Sequence, residues 1–171
     1  MKVFCVIIIS LIAVFVWIDA TPLSNLVVPY YYNGKNEEII EKGLKDWYFL
    51  KNVKFVRTEE QNLTTLKFVE VSSKQMYVNY RFGEYNLFTN TIKLNADKQL
   101  TKRQWIAIVS HEVGHYFLLQ HTKDNTSIMS NGMYLNDEDK NQAMGNLGTV
   151  LLINKVRGWL DPLYPLICKK Y

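Results

Sequence analysis

Cysteine is nearly missing from this chain. There are two, Cys5 and Cys168, too few for a disulfide-stapled scaffold, so a hydrophobic core must carry the fold. Dense runs of lysine or arginine are missing too, and the formal charge is only +4. That balance excludes a nucleic-acid surface. No internal repeat or low-complexity segment occurs, which leaves out solenoids and linkers. Histidine is scarcest of all in its distribution. The chain has three, and all fall in His111-Glu112-Val113-Gly114-His115-Tyr116-Phe117-Leu118-Leu119-Gln120-His121.

What is present reads as one folded domain behind a leader. A hydrophobic content of 48% over 171 residues argues against disorder and suffices for a single core. Residues 1–20 read as a secretory signal: Lys2 is followed by an apolar run at 3–16, and Ile18-Asp19-Ala20 ends on a small residue suited to cleavage. The run is short for a membrane span of about 20 residues, so stable insertion is not expected; an uncleaved anchor is the alternative. Residues 21–171 form the one expected domain, extracellular and monomeric. Cleavage would remove Cys5. Cys168 is then left with burial, pairing with another chain, or approach to a metal. Asn62-Leu63-Thr64 and Asn125-Thr126-Ser127 are glycosylation acceptors in a secreted chain.

The histidine stretch carries the chemistry. Four helical residues turn by about 400°, so His111 and His115 share one face, a turn apart. Two imidazoles placed this way can grip one zinc ion, with Glu112 beside the open metal position as general base. His121 joins them only if the helix stops near Leu118 and the chain swings back, because a continuous helix would point it away. If the helix continued, Glu138 would be the substitute ligand, in a site of two histidines and a glutamate as in thermolysin-like enzymes.

His-Glu-Val-Gly-His at 111–115, His121, Asp124 and Ser-Ile-Met at 127–129 resemble the metzincin zinc proteases, and among them the matrixins. Their motif is H-E-x-x-H-x-x-G-x-x-H followed by a methionine-containing turn. The resemblance implies one catalytic zinc on His111, His115 and His121, Glu112 as general base for a zinc-activated water, and Met129 as an apolar floor beneath the histidines. It implies a secreted endopeptidase acting on peptide bonds of extracellular proteins. The glycine of the motif is Leu118 here, and a catalytically silent binding module with the same fold is the competing reading. The tyrosine that astacin-like members place after the methionine is Asn131. The histidines of a second, structural zinc do not exist, and calcium sites are not legible. Thr21 to Asn25 is short for an inhibitory propeptide, so none is expected.

The remaining pattern predicts an α+β domain with a twisted mixed sheet, an active-site helix and a C-terminal helix, similar to a matrixin domain over residues 26–160. Strands are expected at 26–32, 53–57, 66–71, 77–82 and 91–94. One of the last two should be the sheet edge beside the cleft, able to pair with an extended peptide. A helix capped by Asn36 starts at Glu37. Thr101 and Gln104 form a capping box for the histidine helix, whose stripe is Trp105, Ile108, Val109, Glu112, Tyr116 and Leu119. Asp137 should cap a last helix over 138–158, with Leu147, Val150, Leu151, Ile153 and Val156 as its apolar stripe.

Overall fold

The computed structural model describes residues 25–130 and 134–163. Residues 1–20, read above as a signal, Asn131 and Cys168 lie outside them. Among the described residues, no helix is long and apolar enough to cross a membrane.

The chain forms a mixed α+β domain on one five-stranded sheet. The strands are β1 (Leu26–Tyr32), β2 (Val53–Arg57), β3 (Leu66–Val71), β4 (Gly83–Asn86) and β5 (Thr91–Asn95). Their spatial order is β2-β1-β3-β5-β4. All neighbours are parallel except β4, which runs antiparallel to β5 at the edge. Alternation in β1 works as period two requires: Leu26, Val28, Tyr30 and Tyr32 are buried.

Helix α1 (Glu37–Lys45) connects β1 to β2, with Glu37 and Glu38 in its first turn as the helix dipole favours. Asn36 stands at its N-cap but makes no side-chain cap bond. Its Nδ2 donates instead to Glu70, which the Tyr32 hydroxyl also engages. Helix α2 (Lys102–Tyr116) begins with both bonds of the Thr101–Gln104 capping box. Trp47, past the end of α1, is fully buried. Its indole donates to the Ser110 carbonyl at 3.2 Å and its ring lies 4.9 Å from Phe117. That contact fixes α2 against α1.

Two expectations need correcting. Residues 77–82 form no strand; the edge strand starts at Gly83. Tyr77 and Tyr80 are exposed, so their alternation has no core to face. The segment folds as turns, with Arg81 N–H donating to Val78 O and Asn95 Nδ2 donating to Arg81 O. The last helix, α3 (Asp137–Leu160), is capped by Asn136 and not by Asp137. The Asn136 side chain accepts from Asp139 N–H at 2.8 Å, which needs the three-residue spacing that Asp137 lacks. Along α3 the buried face is Ala143, Leu147 and Val150, continued by Arg157, while Val156 is exposed.

Candidate metal centre and cleft

Helix α2 ends at a turn that reverses the chain. Leu118 adopts φ 62°, one of two non-glycine residues with positive φ among those described. Leu118 N–H donates to His115 O and Leu119 N–H donates to Gly114 O, both at 3.0 Å. This is the paired bond pattern of a Schellman C-cap, with leucine where glycine is usual. The left-handed conformation strains a residue with a side chain by about 1–2 kcal/mol. Leu119 and Phe117 are buried on either side of it, so their packing holds it in place.

The turn brings the third histidine back to the first two. His121 Nε2 lies 3.2 Å from His111 Nε2 and 3.1 Å from His115 Nε2. Three ring nitrogens converge within 4.8 Å of one another. The other nitrogens of two of these rings are engaged. His111 Nδ1 donates to Ile128 O at 2.7 Å, and His115 Nδ1 donates to Leu119 O at 2.9 Å. A carbonyl can only accept, so the proton of each neutral ring sits on Nδ1 and the lone pair on Nε2 faces the convergence. Burial lowers the pKa of both, that of His115 to about 4. Unprotonated nitrogens this close repel unless a cation lies between them. Zinc–nitrogen bonds of about 2.0–2.1 Å at a tetrahedral angle separate two ligands by about 3.3 Å, so the spacing fits zinc.

Glu112 faces the same cleft and is buried. Its Oε2 has no hydrogen-bond partner. Burial pushes its carboxyl up to about 8, with Arg81 pulling down and Glu84 pushing up. A cation at the histidines would favour the ionised form. Room for the carboxyl comes from Gly83 on β4. A Cβ there would lie 2.7 Å from Glu112 Oε1 and 2.8 Å from its Cγ.

Residues 127–129 support the centre from below α2. Met129 is buried, with its sulfur against the helix backbone at Gly114. Ile128 supplies the carbonyl for His111. Asp139, a residue that the sequence reading passed over, holds Ser127 and Ile128 and, through Ser127 Oγ, the Met129 N–H. Its carboxylate accepts from Ser127 Oγ at 2.6 Å and from the N–H groups of Ile128 and Asn136 at 3.1 Å. The signal was available in Asn136-x-x-Asp139, a second capping box. Glu138, the substitute ligand, is exposed and accepts from Gln142, outside the histidine cluster.

The cleft has a volume of about 950 Å³. One wall is β4 and the chain leading into it; the other is α2 and its terminal turn. Buried Arg157 ties β4 down from behind, donating to Tyr85 Oη at 2.8 Å and to Leu87 O at 2.6 Å. A cation so far from the histidine stretch gave no sequence signal.

No family model matches the chain, and no curated protein sequence does. Among solved structures, a zinc-dependent peptidase from Methanocorpusculum labreanum (strain Z) is similar at 10% identity and a TM-score of 0.46, over 68% of this chain and 99% of that one. A likeness this distant carries no weight for the chemistry.

Proposed function

We propose that this chain is a secreted zinc-dependent endopeptidase of the metzincin type, most like the matrixins, which hydrolyses peptide bonds of extracellular proteins. The observation that carries the reading is the convergence of three Nε2 atoms beside a buried carboxyl with one unpartnered oxygen. His111, His115 and His121 would hold the metal, with Met129 packed behind. Zinc bound there supplies a Lewis acid that lowers the pKa of water to about 7.

The chain's own groups supply the rest. Neutral His111 and His115 keep their lone pairs because their protons are committed to backbone carbonyls. Glu112 takes the proton of the attacking water and delivers it to the leaving amide nitrogen. The outer edge of β4 offers backbone groups that align an extended substrate. The signal-like residues 1–20 support an extracellular location, and the lack of a basic cluster supports peptide over nucleic acid as partner. The silent-module reading drew on Leu118 alone. Leu118 makes the turn that glycine would make, so that support is gone.

The test is zinc content of the purified chain, together with casein or gelatin cleavage with and without chelator, for the parent and Glu112→Ala. The parent should hold one zinc and lose activity with chelator. Glu112→Ala should keep zinc and lose about 10²–10⁴-fold in rate. A parent that takes up no zinc, or a variant within a few-fold of the parent, would overturn the proposal.

A further inference from the structure

The cleft holds one unpaired cation. Among its lining residues, Arg81 is the single lysine or arginine. Its backbone is anchored on both sides: its N–H donates to Val78 O at 3.0 Å, and its carbonyl accepts at 2.8 Å from the Nδ2 of fully buried Asn95. Its side chain is exposed, and the guanidinium has no hydrogen bond or ion pair with another described residue.

Nearby acids do not satisfy it. The Glu84 carboxylate is taken by Lys93 Nζ at 3.0 Å and by Tyr77 N–H at 2.8 Å. Glu112 is buried behind Gly83. Arg81 lies two residues before Gly83, which abuts the Glu112 carboxyl, and it lines the same cleft as Glu112 and the three histidines, where a bound peptide would run. The cleft lining also includes the apolar side chains of Phe82, Leu100 and Leu118. An arginine that lines a cleft without a partner of its own favours a carboxylate, which its planar fork can bind through two parallel bonds.

We infer that Arg81 is a specificity-determining residue that receives a carboxylate of the peptide substrate close to the scissile bond. This rests on the peptidase reading. The carboxylate has two possible sources, an Asp or Glu side chain or a free peptide C-terminus, and the chemistry of recognition is shared.

The experiment uses zinc-loaded parent, Arg81→Gln and Arg81→Glu on quenched peptides of one apolar background. Glu, Gln or Lys is placed at each of the two positions on either side of the cleaved bond, with both ends blocked. A further pair carries Gln throughout and differs only in a free or amidated C-terminus. At one position the parent should favour Glu over Gln by roughly 10-fold in kcat/KM, the effect of one charge-assisted contact. Arg81→Gln should abolish that ratio, and Arg81→Glu should shift preference to Lys. If the free-terminus pair responds instead, the carboxylate is terminal. An unchanged ratio in Arg81→Gln, or an equal fall on Glu and Gln peptides, overturns the inference. Binding of the same peptides by fluorescence anisotropy separates the two claims. A parent that cleaves nothing fails the peptidase reading, while an Arg81-dependent preference in binding still supports the carboxylate site and its absence overturns it.

Discussion

The sulfur of Met129 occupies the space that a Gly114 side chain would fill. A Cβ on Gly114 would stand 2.4 Å from Met129 Sδ and 3.4 Å from Trp47 Cζ2. Glycine at this position therefore allows residues 127–129 to dock directly on the helix that carries His111 and His115.

Gly114→Ala should destabilise the fold by about 1–3 kcal/mol, the usual cost of overpacking a buried site. Met129→Ala alone should also destabilise, through a cavity. The double variant should be more stable than the sum of the two losses implies, because the shortened Met129 side chain removes the clash. Denaturant unfolding measures all three, and strict additivity would contradict the contact.

Gly83 plays the same part on the opposite wall. Gly83→Ala should displace the Glu112 carboxyl and lower kcat by about 10²-fold, since small misplacements of a reacting group are expensive. Zinc content should stay at the parent level. A parent-like kcat would show that Glu112 adjusts freely.

At Leu118 the usual order of alanine and glycine should reverse. Within a helix, alanine is more stable than glycine by about 0.5–1 kcal/mol. At φ 62° glycine escapes the strain of the left-handed conformation, so Leu118→Gly should be more stable than Leu118→Ala by about 1 kcal/mol. Equal stabilities, or alanine ahead, would contradict the left-handed turn.

Asp139 should matter to metal affinity without touching metal. Asp139→Asn weakens the grip on Ser127 and Ile128, and through Ile128 O on His111. Loss of such a support typically costs about 10–100-fold in affinity. Competition with a zinc chelator measures it. A Kd unchanged from the parent would mean that the turn holds itself.

The sequence made the local parts of this molecule readable. β1, β2, β3 and β5, the start of α1 and the start of α2 follow from alternation, dipole and capping signals that act within a few residues. The clustering of His111, His115 and His121 was equally local, and so was the need for a reversal at Leu118. Most of what escaped was long-range. The edge strand was displaced because residues 77–82 alternate without a partner, whereas Gly83–Asn86 pairs with β5. The Asn136 cap lost to its neighbour Asp137, an equally good capping residue. Gly83, Gly114 and Arg157 act through groups about 15 to 72 residues away in the chain, and no window of sequence contains both partners.

The open edge of β4 has a colloidal consequence. Backbone groups that can align a peptide do not distinguish it from a strand of another copy, so the same edge invites self-association. The exposed rings of Tyr77, Tyr80 and Phe88 beside it add to the attraction. Two features oppose it: β4 is only four residues long, and every copy carries the same positive charge. Salt that screens this repulsion removes one of the two. Solubility at high ionic strength then rests on how little strand the cleft leaves open.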